Sequence, residues 1–252
     1  MLRQLYNTYK YHLKSEFFWM PEPEHKFVIL SMGRIGSTLL TSLINSHSEI
    51  YCEGEIFMRK QYLPILLPAS FLKGHSRNVS ENNATVYGFK VKEEQLSKEN
   101  KLDSALFLQR LHHDGWKVIR LTRNNRIKLA LSIYQAWKDN IYEVKAGGKP
   151  HKITQIPVEI DKLIEILDFH DHLFNRENEA VKDVPHLALT FEEDLLDNKM
   201  HQTTANKVFD FLNLSHQPVS TEFIKKSDND LHSLVKNYAE IDLTDLPEGI
   251  YI

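Results

Sequence analysis

The sequence predicts an α/β protein built on a doubly wound parallel sheet, and three observations carry that prediction. Short apolar runs recur at 27–30, 86–91, 117–122 and 185–191, each the length of a buried strand. Helical stripes separate most of them. The first run ends in a glycine-containing turn that leads straight into an amphipathic helix, the arrangement that places ligands at the carboxyl edge of such a sheet.

That first unit is Lys26 to Ile44, KFVILSMGRIGSTLLTSLI. Phe27 to Leu30 give the strand, and Leu39, Leu40, Leu43 and Ile44 the stripe of the following helix. Between them, Gly33 and Gly36 permit a sharp turn that brings backbone N–H groups close to a ligand. Ser37 and Thr38 fall where a helix N-terminus offers unpaired donors and a positive dipole. The turn therefore reads as an anion cradle. A nucleotide triphosphatase places Lys immediately before its Ser/Thr, and that position here is Gly36. The cation is instead Arg34, whose planar fork suits an oxyanion.

The chain of 252 residues suits one sizeable core, so a single domain over 1–252 is expected, with 1–25 as an N-terminal helical extension ending before Pro21. Thirty-one Lys and Arg against 34 Asp and Glu leave a net charge of -3, which gives no global attraction to nucleic acid or an anionic membrane; any anion site must be local. The one cysteine, Cys52, excludes an internal disulfide and a multi-cysteine metal site and fits a reducing, cytoplasmic setting. No apolar run has the length of a membrane span. The 13 histidines form no metal-binding pattern, so no catalytic metal is expected.

Further along, the polar end of the first helix passes into a short segment, 45–57, that carries Glu53 and Glu55. The segment returns Glu55 to the carboxyl edge of the sheet, which makes it the candidate general base, with Glu53 second. Residues 58–85 read as a short helix and a loop facing an acceptor. Val86 to Val91 is the second strand, and Lys90 within it requires a partner or a ligand. A helix over Leu102 to His112, ended by Gly115, leads to the third strand, Lys117 to Thr122. The next helix has a stripe of Ile127, Ala130, Leu131, Tyr134, Trp137 and Ile141. Arg123 stands at the third strand's tip and Ser132 on that helix, so the two can hold one phosphate from two sides. Glu143 to Pro157 reads as a loop or lid. A long helix over Val158 to Val181 with Leu163, Ile166, Leu167 and Phe174 in the core leads to the fourth strand, Pro185 to Phe191. Helices over Thr203 to Leu212 and Leu231 to Tyr238 close the chain.

Taken together, these segments resemble the sulfotransferases that use 3′-phosphoadenosine 5′-phosphosulfate (PAPS), over about Lys26 to Leu243. The resemblance rests on Arg34-Ile35-Gly36-Ser37-Thr38-Leu39, on Arg123 with Ser132, and less specifically on Tyr87 to Lys90, Phe191-Glu192-Glu193 and Val235 to Tyr238. Gly54-Glu55 is similar to the bacterial carbohydrate branch, the nodulation-factor and trehalose enzymes. The resemblance implies a P-loop-containing nucleotide-hydrolase-like sulfotransferase fold. It implies PAPS as co-substrate, with the 5′-phosphosulfate on Arg34 to Thr38 and the 3′-phosphate on Arg123 and Ser132. The catalytic residues implied are Glu55, Lys90 and Arg34, and the acceptor a small molecule or glycan. Two departures stand out: nine positions separate Arg123 from Ser132 where many animal members have eight, and His47 and His75 are poor matches for the histidine of the cytosolic small-molecule enzymes. A nucleotide-dependent kinase and a non-catalytic scaffold are the alternatives. Oligomeric state is open, a homodimer included.

Overall fold

A computed structural model describes residues 2–16, 22–58, 65, 67–139, 157–223 and 236. Five parallel strands form one sheet: β1 (His25–Ser31), β2 (Ile50–Glu55), β3 (Val86–Val91), β4 (Trp116–Thr122) and β5 (His186–Thr190), in the order β2-β3-β1-β4-β5. The order reverses at β1, so the chain leaves the central strand toward both edges, and the crevice that this opens lies at the carboxyl ends of β1, β3 and β4. The helices are α1 (Leu2–Lys14), α2 (Ser37–Ile44), α3 (Pro68–Ser76), α4 (Ser104–His113), α5 (Arg126–Asp139), α6 (Ile160–Val181) and α7 (His201–Leu212).

Alternation along β1 divides the core. Phe27 and Ile29 pack with α2, α5, α7 and the first half of α6 on one face; Val28 and Leu30 pack with α3, α4 and the end of α6 on the other. All four side chains are fully buried, as a central parallel strand covered on both faces requires. Asp103 caps α4 by accepting from the Leu106 amide at 2.9 Å, and Gly115 ends the segment in a left-handed turn. No helix among the described residues is long and apolar enough to cross a membrane.

The four expected strands are present, and a fifth, β2, lies where only a short segment is expected. Its burial alternates at Ile50 and Cys52, then breaks at a bulge between Glu53 and Glu55. Residues 68–82, expected as a short helix followed by a polar loop, are α3 continued by a 3₁₀ helix (Arg77–Asn82). Their polar side chains His75, Arg77 and Asn78 are buried. Trp137 and Phe174, expected in the core, are exposed; Phe174 lies against Arg120, whose guanidinium carbon is 5.1 Å from the ring centre. Ile141, residues 143–156 of the expected lid and the last helix over 231–238 lie outside the described residues, apart from Lys236.

Candidate functional site

The turn after β1 is built on two left-handed residues, Arg34 at φ 65° and Gly36 at φ 91°. A side chain at Gly36 would also collide with Phe191, whose ring would lie 2.7 Å from the added carbon, so both backbone angle and space require glycine. Buried Met32 and Ile35 fix the turn in the core and leave its backbone toward the sheet's carboxyl edge. Gly36 provides no side-chain cap for α2, and the start of that helix, at Ser37 and Thr38, is the kind of backbone N-terminus that attracts an anion.

The two arginines meet here. Arg34 donates to the Ser132 hydroxyl from Nε at 3.3 Å and from Nη2 at 3.2 Å. Arg123 donates from Nη1 to the Arg34 carbonyl at 3.2 Å and stacks over Phe191, 4.7 Å from the ring centre. Burial brings the pKa of Arg123 down to about 10, with Glu192 opposing the change and Arg34 adding to it. Its buried Nε has no hydrogen-bond partner among the described residues, and Glu192 Oε1 stays 3.9 Å away. Glu192 instead accepts from the amides of Asn124 and Asn125 at 2.9 and 3.0 Å, filling with a carboxylate the anion-binding geometry at the start of α5. A cavity of about 530 Å³ opens beside this cluster, lined by Met32, Arg123, Asn125, Phe174 and Glu192 among others.

Across the turn, Lys90 is buried and donates to the Thr38 hydroxyl at 3.2 Å, which answers the need for a partner raised by an ammonium in an apolar strand. Register places Glu55 beside Lys90. The Glu55 carboxylate is held by Lys92 Nζ at 3.1 Å and accepts from Gln95 Nε2 at 2.7 Å, while Gln95 Oε1 accepts from the Lys92 amide at 3.0 Å. Lys92 also overhangs the cradle: its Nζ lies 3.9 Å from where a Cβ on Gly33 would stand. Lys92 and Gln95 are not among the residues expected from sequence. The available signal is the strand period, which puts Lys92 on the same face as Lys90.

Glu53 has a different setting. It accepts from His75 Nδ1 at 2.6 Å, from Tyr87 OH at 3.3 Å and from Asn78 Nδ2. Burial lowers the pKa of His75, with Glu53 opposing, and raises Tyr87 well above its ordinary value, with Glu53 adding. Burial and then Glu53 push Tyr51 up to about 12. A second cavity, of about 520 Å³, is lined by Lys10, Tyr11, Tyr51, Glu53 and Glu55 among others. His47 is a core residue, with Nε2 3.0 Å from the Ser215 carbonyl and its ring against Phe209.

No family model matches the chain, and no curated protein matches it. Among solved structures it is similar to a sulfotransferase from Alicyclobacillus acidocaldarius, with 14% identity, a TM-score of 0.47, and coverage of 82% of this chain and 87% of that one. It is also similar to retinol dehydratase in a complex with retinol and PAP, with 17% identity, a TM-score of 0.40, and coverage of 81% of this chain and 65% of that one.

Proposed function

We propose that the chain is a sulfotransferase that moves the sulfuryl group of PAPS to a hydroxyl on a carbohydrate or glycolipid. One observation carries the reading: two arginines and a serine hydroxyl converge beside the uncapped start of α2, while a lysine and a carboxylate flank the same turn from the other side. The unpartnered Arg123 Nε and the donor-only character of the Arg34 guanidinium fit a nucleotide that carries two separated anionic groups.

In this reading PAPS supplies an activated sulfuryl group, and the residues do the rest. Arg123 and Ser132 hold the 3′-phosphate. The amides of Gly36 to Thr38, with Arg34 and Lys90, receive the negative charge that builds on the phosphate oxygen as its bond to sulfur breaks. Glu55 takes the proton of the acceptor hydroxyl as the new oxygen–sulfur bond forms. Lys92 and Gln95 hold the carboxylate in place until then. The second cavity, with two tyrosines among carboxylates and an amide, offers hydrogen-bond acceptors and ring faces to a polyhydroxylated acceptor.

The test is incubation with radiolabelled PAPS and a panel of sugars and glycolipids, without ATP or magnesium. Label transfer to a sugar hydroxyl supports the reading. Turnover that needs ATP and magnesium identifies a kinase instead, and nucleotide binding with no transfer under either condition identifies a scaffold.

A further inference from the structure

The hydrophobic pattern of α1 is turned outward. Leu2, Leu5, Tyr6, Tyr9 and Leu13 recur at i, i+3, i+4, i+7 and i+11, a single stripe along the helix. Such a stripe ordinarily faces the core. Here its members are 80%, 50%, 68%, 61% and 47% exposed. The polar side of the helix faces the protein. Lys14 is buried and donates to Asn78 Oδ1 at 2.5 Å and to Glu81 Oε1 at 2.7 Å, and the His12 ring lies 3.0 Å from the Ser70 hydroxyl. Tyr11 stacks on His75 with ring centres 3.4 Å apart, and Gly74 gives its carbonyl the room to approach α3. A helix docked by its polar side, with its apolar stripe left open, is built to be covered by something else.

We infer that this stripe seats α1 on an anionic lipid surface, as an interfacial helix. Charge selects that occupant. The helix contains Arg3, Lys10 and Lys14 and no acidic residue, in a chain whose net charge is -3. Arg3 and Lys10 are exposed along one flank of the stripe, where they meet headgroups while the leucines enter the acyl boundary and the tyrosines sit at the interface. A symmetric pairing with a second copy would bring those same cations together. The helix also borders the second cavity, which Lys10 and Tyr11 line together with Glu55. Lys10 belongs both to the exposed flank of the stripe and to the lining of that cavity, so a bilayer that engages Lys10 stands beside the cavity. On the sulfuryl-transfer reading, the acceptor is then a hydroxyl on a lipid-anchored headgroup rather than a freely diffusing sugar.

Vesicle cosedimentation tests the docking without reference to catalysis. Full-length protein is expected to pellet with phosphatidylcholine vesicles containing roughly one part in three phosphatidylglycerol, and to stay in solution with phosphatidylcholine alone or at high salt. Leu5→Glu with Tyr9→Glu should cut the bound fraction about tenfold or more, and Arg3→Glu by a smaller factor. Circular dichroism and melting temperature should be unchanged, since all three side chains are solvent-facing. Absence of wild-type binding to either vesicle overturns the inference, as does a concentration-dependent dimer that the double variant abolishes. Equal binding to neutral and anionic vesicles overturns the charge argument. If binding is seen and PAPS is never turned over, the docking stands and the sulfuryl-transfer reading fails; turnover without vesicle binding gives the reverse.

Discussion

The two sides of the turn after β1 are made differently. On the β4 side two cations are brought together: Arg34 donates to a serine hydroxyl, and Arg123 is partly buried, with a buried Nε that has no hydrogen-bond partner among the described residues. On the β2 side both carboxylates are matched. Glu55 has Lys92 and Gln95, and Glu53 has a histidine, an amide and a phenol. A buried donor without an acceptor favours the arrival of an anion, because an unsatisfied buried group costs about 1–3 kcal/mol and more when charged. A satisfied carboxylate needs no ligand and remains available as a proton acceptor. In the proposed function, nucleotide binding falls to the first side and proton chemistry to the second.

The largest expected effect tests the proton side. Glu55→Gln keeps the shape and can still accept from Gln95, but it removes the proposed base, so turnover should fall by roughly two to four orders of magnitude. Binding of adenosine 3′,5′-bisphosphate, followed by calorimetry, should be unchanged. Equal loss of both would mean that the two sides do not divide the work. Arg123→Ala is the reciprocal experiment. Loss of charge-assisted bonds worth about 1.5–3 kcal/mol should weaken adenosine bisphosphate binding by roughly 10- to 150-fold. Unchanged affinity in that variant would remove the 3′-phosphate from Arg123.

Much of this contrast is legible in the sequence. The strand, glycine turn and helix of residues 26–44 stand out because period and turn chemistry agree over a long window. Arg34, Ser132 and Arg123 are expected from sequence to share a ligand, and the fold brings them into contact through Arg34. β2 is not legible as a strand because it has only two buried positions before a bulge at Gly54. The polar run after Lys73 reads as loop because its side chains are polar, yet His75 and Asn78 are inside, held by Glu53 and by Tyr11 and Lys14 of α1. Pairings of that kind depend on tertiary contacts between residues more than 20 apart, which no local pattern records. Lys92 belongs to the same class. Its role is measurable as an intermediate effect: Lys92→Met should lower kcat about tenfold with little change in nucleotide affinity, and Lys92→Arg should recover part of it, because a cation holds Glu55 in place without being the base.

The smallest effect is read by pH and concerns His75, the partner of Glu53 on the β2 side. Burial lowers the pKa of His75 below its ordinary value of 6.5, so the folded protein binds fewer protons at this site than the unfolded chain does. The stabilising contribution is therefore present above about pH 6.5 and is lost progressively as pH falls below it. Each tenfold difference in proton affinity between the folded and unfolded states is worth about 1.4 kcal/mol. Thermal melts from neutral toward acidic pH should show a falling midpoint, and His75→Gln should flatten that slope while lowering stability at neutral pH through the lost contact with Glu53. Nucleotide affinity should not follow the same curve, since His75 stacks on Tyr11 and Phe71 and binds Glu53, away from both arginines. If affinity for adenosine bisphosphate did track the melt, the carboxylate side would be supporting the cationic side through the sheet, and the division between them would be one of position rather than of function.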